Sequence, residues 1–315
     1  MTELVVREKV GDGVVAEPQS GNGAGVREKV ADGPALRVAH RLPWLALAVA
    51  VAAALGLYAP LVVGMAAEWA EFPSLSHGFA VPLISAYLLW RQRHVLAETP
   101  LEGSLAGLPV IAFGLSMLVI GSLGGESFVA RLSLPIVLLG TVIFLGGTSV
   151  ARHTWLAIAY LLFMIPLPYV TLKVLTYQSR LFDAGLTAAA LGWLGVPILR
   201  DGVLLHLPNM TLEVADECSS VPAIAALLAL GAAYAQMQAR PAWSRVALTL
   251  AAAPLGLLSN LVRLILTSLS AYYFGPIALN NVIHKFNGTS VFLATVLLLV
   301  ALDALLTRVW RKAPP

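Results

Sequence analysis

Runs of apolar side chains long enough to cross a hydrocarbon core leave this chain few alternatives to a bundle of membrane helices. A crossing takes about 20 helical residues, and in lipid only a helix or a closed barrel satisfies its own backbone. The candidate spans are Trp44–Met65, His77–Trp90, Leu105–Leu123, Phe128–Leu145, Trp155–Tyr169, Val221–Tyr234, Val246–Tyr273 and Val291–Leu306. Two are short: His77–Trp90 must recruit Phe72–Ser76, and Val221–Tyr234 begins near Cys218. Hydrophobic residues make up 58% of the chain and charged residues 12%, with a mean hydropathy of +0.82. The expected fold class is therefore an all-α polytopic membrane protein of about eight transmembrane helices.

Charge orients the spans. Arg41, Arg91, Arg93, Arg152, Arg240, Arg245, Arg308, Arg311 and Lys312 fall at alternate span ends, which by the positive-inside rule face the cytoplasm. Both termini then lie on the cytoplasmic side of the membrane. Arg131, Lys173, Arg180, Arg200 and Lys285 are exceptions on the outer side. Residues 1–40 are of another kind. Val6–Gly13 recurs as Val26–Gly33, a repeat of period 20 rich in glycine and charge. Such a segment has little to bury and reads as a disordered cytoplasmic tail, ahead of a membrane domain over 41–312. No apolar core with a small-residue cleavage site precedes the first span, so a cleavable signal peptide is not expected.

The longest outer segment runs from about residue 170 to 217. Pro166 and Pro168 end the preceding span. Leu172–Trp193 then interleaves Leu172, Leu175, Phe182, Leu186 and Trp193 with Lys173, Gln178, Arg180 and Asp183. Its N-terminal half has the pattern of a helix lying in the interface; the competing reading, a ninth span, would reverse the orientation of everything downstream. Val203–Leu207 and Thr211–Val214 flank Pro208-Asn209 and read as a short extracytoplasmic β-hairpin. A hairpin marginal by itself is expected to pack on the membrane helices, and it either delivers the chain's single cysteine, Cys218, to a fixed position or is an ordinary connector.

One cysteine excludes an internal disulfide and a multi-thiolate metal site. The thiol is either a small packed hydrophobe or a nucleophile, and two neighbours bear on the choice. Arg263 lies deep in the Val246–Tyr273 span, where an arginine costs about 2.5–3.5 kcal/mol even on insertion scales. It belongs to a polar stripe, Gly256, Asn260, Arg263, Thr267 and Ser270, whose spacing puts all five on one helix face. From Arg263 to Tyr273 is about 15 Å of rise; snorkelling favours an outward reach and the backward tilt of Cβ opposes it. His284 lies in the outer loop before the last span. A free thiol is only a few per cent thiolate at neutral pH, and Asp216 and Glu217 would suppress it further if they faced the sulfur. In acyl transfer the thiolate forms a thioester, arginine offsets the oxyanion charge, and histidine protonates the leaving amine.

These residues are set in motifs that resemble the exosortase and archaeosortase family of membrane cysteine transpeptidase-like enzymes. The motifs are Ser76-His77-Gly78-Phe79-Ala80-Val81-Pro82, Leu162–Pro168, Leu212–Ser219, Asn260-Leu261-Val262-Arg263 and His284-Lys285-Phe286-Asn287-Gly288. They stand in the family's order over roughly residues 44–307. The resemblance implies a catalytic triad of Cys218 (nucleophile), Arg263 (oxyanion stabiliser) and His284 (general acid/base), with Asn260, Ser219 and His77 in support. Ser220 departs from the pattern, since glycine commonly follows the Cys-Ser pair. The implied substrates are secreted proteins with a C-terminal Pro-Glu-Pro-type signal, a transmembrane helix and a basic tail, sorted in connection with exopolysaccharide. Outer Arg131, Arg180, Arg200 and Lys285 are candidates to attract the signal's glutamate, or simply to touch lipid phosphate. His206 is read as a hairpin residue.

No phosphate-cradling glycine loop or paired-histidine spacing appears, so no cofactor or metal is expected, and the basic balance reflects membrane anchors rather than nucleic acid. Two other classes stay open: a transporter or lipid-linked-glycan handling protein using Arg263 as an intramembrane polar site, and a non-catalytic assembly subunit of an export system.

Overall fold

A computed structural model describes residues 34–238, 241–276 and 281–312, and of 34–42, 281–288, 306 and 308–312 the backbone alone. The chain divides into a unit Met1–His40 and a unit Arg41–Pro315. The expected tail with its repeat lies outside the described residues, apart from the start of the first helix, and every described side chain belongs to the second unit. Helices α1 (Pro34–Leu57) and α2 (Ala59–Glu71) form a pair bent by 61°. Pro60, in the first turn of α2, lacks the N–H that would continue the ladder. The break residue Tyr58 is fully buried and its hydroxyl pairs with Ser133 Oγ at 2.6 Å.

Instead of the expected span His77–Trp90, a 3-10 segment Pro73–Phe79 leads into the 12-residue α3 (Ala80–Arg91), followed by α4 (Arg93–Glu98). Trp69 explains the tight segment. A Cβ on Gly78 would meet the Trp69 ring at 2.5 Å, and the indole Nε1 donates to Met164 O at 3.1 Å. Helix α5 (Gly107–Leu123) lies along α6 (Ser127–Tyr160) on a seam of glycines, Gly107, Gly114 and Gly121, all buried. A Cβ on Gly114 would come within 2.6 Å of Val137 Cγ2. Small residues let membrane helices approach closely where no hydrophobic drive exists between them.

Where two spans were expected, over Phe128–Leu145 and Trp155–Tyr169, α6 consists of two helical stretches that meet at a sharp break. Gly147 stands at φ 83°, ψ 176° inside α6, a region essentially reserved for glycine. The helix ends in a 3-10 turn, Leu161–Met164. Arg131 on α6 is 8% exposed and meets Glu68 of α2 through both guanidinium nitrogens, Nη1 to Oε2 at 2.8 Å and Nη2 to Oε1.

Helix α7 (Tyr169–Trp193) is followed by β1 (Leu199–Asp201), β2 (Leu204–Leu207) and β3 (Met210–Glu213). The expected hairpin is therefore the second half of a three-stranded antiparallel sheet. Leu205 pairs with both Arg200 and Leu212. The isolated hairpin would be marginal; the third strand and the helices beneath stabilise it. Leu205 and Val214 share a buried cluster with Ala184 and Leu264, and Asn209 Nδ2 donates to Ala271 O at 2.9 Å. A 3-10 turn, Asp216–Cys218, then leads into α8 (Ser220–Met237), α9 (Ala242–Phe274) and α10 (Asn281–Lys312).

Ser127–Met164, Ser220–Met237 and Ala242–Phe274 are each long and apolar enough to cross a membrane, and the bent pair makes a fourth; Gly107–Leu123 and Thr289–Leu305 are shorter apolar helices. The fold is that of a mostly helical, multi-pass membrane protein with a small sheet.

Helix α8 is much shorter than its antiparallel neighbour, 18 residues against 33. Its start lies at the level of Gly256 and Asn260, since a Cβ on Gly256 would meet Ile224 Cα at 2.8 Å. Beyond Asn260, α9 continues to Phe274 for about 21 Å. That half is flanked by the sheet and by α7, whose Leu191 clusters with Ala271. Helix α7 turns three polar residues inward: Thr176, Asp183 and Thr187 are buried, while Val170, Val174, Tyr177 and Phe182 are exposed.

Gly147→Ala is expected to destabilise the protein by about 1–3 kcal/mol from backbone strain alone, and the new Cβ also strikes the Glu102 carbonyl. Gly64→Ala, with nothing within 4 Å of its added Cβ, should be neutral. Thermal unfolding in detergent would show the contrast, and equal midpoints would refute it.

Candidate active site

The segment carrying Cys218 is held from both ends. Before it, the Arg180 guanidinium of α7 donates to three acceptors at once. Nε bonds Val214 O, Nη1 bonds Asp216 Oδ1 at 2.9 Å, and Nη2 bonds Glu213 Oε1 at 2.6 Å. Lys173 Nζ adds a bond to Asp216 Oδ2 at 2.9 Å, and that bond, first of all, lowers the Asp216 carboxyl below its ordinary range. After it, Ser219 is fully buried and precedes the first turn of α8 without a side-chain cap. The orphan N–H of Ser220 is instead taken by α7: it donates to Asp183 Oδ2 at 2.8 Å and to Ser179 Oγ at 3.2 Å. A carboxylate at a helix N-terminus satisfies an unpaired donor and faces the positive end of the dipole.

From α9, two residues of the predicted polar stripe reach this segment. Asn260 Nδ2 donates to Cys218 O at 2.9 Å and to Asp183 Oδ2 at 3.2 Å. Arg263 Nη2 donates to Asn260 Oδ1 at 2.8 Å and to Glu217 O at 3.0 Å. The short α8 settles how far Arg263 must reach, because it lets the cysteine segment come down to the level of the arginine. Among the described residues only Nη2 of Arg263 hydrogen-bonds to protein, leaving Nη1 and Nε unengaged.

Beside this knot is a cavity of about 450 Å³, lined among others by Ser76, His77, Glu217, Ser219, Asn260 and Arg263. Thr289 and Phe292 of α10 also line it. Cys218 itself packs against the cluster of Ala184, Leu205, Val214 and Leu264. Burial there pushes the thiol up; Arg263 opposes this and Glu217 adds to it. Asp183 is likewise pushed up by burial, against the hydrogen bonds it accepts.

Cys218, Ser219, Asn260, Arg263 and His77 are thus brought around one cavity and the turn beside it. His284 lies near the start of α10, five residues before Thr289; its side chain is outside the described residues, as is that of Lys285. Two candidate substrate-binding cations are already committed: Arg131 to Glu68, and Arg180 to Glu213 and Asp216. Arg200 Nε donates to Gly202 O at 2.9 Å. His206, read as a hairpin residue, lies in β2 and its Nδ1 pairs with Thr211 Oγ1 at 2.9 Å. Sequence reasoning missed Asp183 and Ser179. The available signal was a lone carboxylate in the otherwise uncharged run Leu181–Trp193, which is expensive to bury without partners. Among the described residues no cluster of His, Cys, Asp and Glu is arranged to hold a metal.

Since thiolate forms as pH rises, the alkylation rate of Cys218 should follow its ionisation. Glu217→Gln removes a charge that raises the thiol pKa and should move the midpoint of the pH–rate profile down. Arg263→Gln removes one that lowers it and should move the midpoint up. Iodoacetamide kinetics read both, and shifts of the opposite sign would contradict the site geometry.

The family model for the transmembrane exosortase (Exosortase_EpsH) matches residues 69–301, most of the chain and all of the segments just described. No curated protein and no solved structure matches it. With the family model running from the end of α2 into α10, the chain belongs to the transmembrane exosortase family of membrane peptidases and transpeptidases.

Proposed function

We propose that this protein is a cysteine peptidase or transpeptidase that cleaves C-terminal sorting signals of the Pro-Glu-Pro type from secreted proteins. It would act at the outer face of the cytoplasmic membrane, with both termini inside, in connection with exopolysaccharide-associated sorting. The observation that carries the reading is the hydrogen-bond chain from Arg263 to Glu217 O and, through Asn260, to Cys218 O. It holds a guanidinium beside the chain's single thiol, against a cavity large enough for a peptide segment.

In this reading a base removes the thiol proton and Sγ turns from its apolar cluster toward the cavity, a step between staggered rotamers. The thiolate attacks the scissile carbonyl carbon, the C=O π pair moves to oxygen, and the unengaged donors of Arg263 face the oxyanion. Collapse breaks the C–N bond; the departing amine takes a proton from His284, and a thioester on Cys218 remains. Water or an acceptor amine then attacks the thioester, yields its proton to His284, and releases the thiolate. His77, on the cavity wall, supports the pocket, and buried Ser219 stands at the entry to α8.

Cys218→Ala is expected to abolish processing of a substrate carrying signal, span and basic tail. Arg263→Ala should lower kcat about a hundredfold or more, and His284→Ala by a similar factor. Intact-mass detection of an acyl adduct on Cys218, lost on hydroxylamine treatment, is the direct check. Processing that survives Cys218→Ala would sink this mechanism, and loss of solute transport in Arg263→Ala alongside it would favour a transporter.

A further inference from the structure

A buried carboxylate that no step of the thioester chemistry uses sits behind the cysteine. Asp183 has no exposed surface, and among the described residues no cation pairs with it. A charge in such a place costs several kcal/mol unless hydrogen bonds compensate it. The compensation is concentrated on one atom: Oδ2 accepts from Ser220 N, from Ser179 Oγ at 3.1 Å and from Asn260 Nδ2, while among the described residues Oδ1 has no partner. That one oxygen ties the first turn of α8 to the middle of α9. It bonds the residue two after Cys218 on one side, and on the other the amide that bonds Cys218 O and Arg263.

The chemistry of the partners fixes the amide. A backbone carbonyl only accepts, and a guanidinium only donates. Asn260 must therefore turn its NH2 to Asp183 and Cys218, and its oxygen to Arg263. We propose that Asp183 is a positioning residue for the reaction: by bridging Ser220 and Asn260 through one oxygen, it sets the register between the Cys218 turn and the Arg263 guanidinium. The role needs an acceptor at this point rather than contact with substrate. Without it the Ser220 N–H is orphaned, α8 starts loosely, and Arg263 no longer sits at a fixed distance from the thiol.

The inference rests on Cys218 as nucleophile only where turnover is measured. A second readout does not need turnover, because the single cysteine makes alkylation of the full-length protein in detergent report one site. In the pH–rate profile with iodoacetamide, the midpoint reads ionisation of the thiol, whereas the plateau reads access. Asp183→Ala should raise the midpoint by about one pH unit as the arginine's influence weakens. It should also lower kcat about tenfold while KM changes little. Asp183→Asn, which keeps an acceptor oxygen, should restore most of both. The double variant Asp183→Ala/Asn260→Ala should be no worse than the more impaired single, since both break one chain. A wild-type midpoint in a folded Asp183→Ala protein, or additive effects in the double variant, would overturn the proposal. If Asp183→Ala does not fold, Asn260→Ala decides: a wild-type midpoint there breaks the proposed link. Processing that persists in Cys218→Ala sinks the nucleophile assignment instead, and leaves the alkylation midpoint to judge Asp183.

Discussion

A carboxylate withdrawn from water has to be satisfied where it lies, and in this protein that requirement organises the junction of three helices. Asp183 takes the first free N–H of α8 and one hydrogen of the Asn260 amide. The amide's remaining groups engage Cys218 O and Arg263. Each partner removes an alternative for the next, so the turn carrying the cysteine has one arrangement relative to α9. Low dielectric strengthens such a network and makes any missing member costly.

The membrane bundle below supplies a stiff base by different means. A glycine seam brings α5 onto α6, the break at Gly147 redirects α6, and the Glu68–Arg131 pair closes α2 against it. These contacts involve few exposed polar groups, as lipid demands. The 3-10 turn at Asp216–Cys218 is held separately. Anchors on its two flanks differ in kind: Arg180 and Lys173 hold the side before the cysteine through half-exposed ion pairs, and Asp183 holds the side after it through buried hydrogen bonds.

Much of this was legible in the chain. The apolar runs marked the helical class, and the stripe Gly256–Asn260–Arg263 marked the face of α9 that meets α8. Apolar alternation located β2 and β3. It missed β1, because Leu199-Arg200-Asp201 is exposed on every residue and is a strand only through its pairing with β2. It also misjudged His77–Trp90, where a ring stacked under Gly78 tightens the backbone into a 3-10 segment. Arg131 and Arg180 looked like free outer cations because their carboxylate partners lie far along the chain. For Arg131–Glu68 the separation is 63 residues.

By itself the sequence determined a helical membrane protein with one thiol, one deep arginine and the motif order of its family, since hydropathy, periodicity and cysteine count are local properties. Only the tertiary structure decided that Arg263 stands level with Cys218. The unequal lengths of α8 and α9, and the place α7 gives Asp183, bring this about. Relative depth, amide orientation and the partner of a buried charge are set by contacts between elements distant in the chain, and no local pattern encodes them.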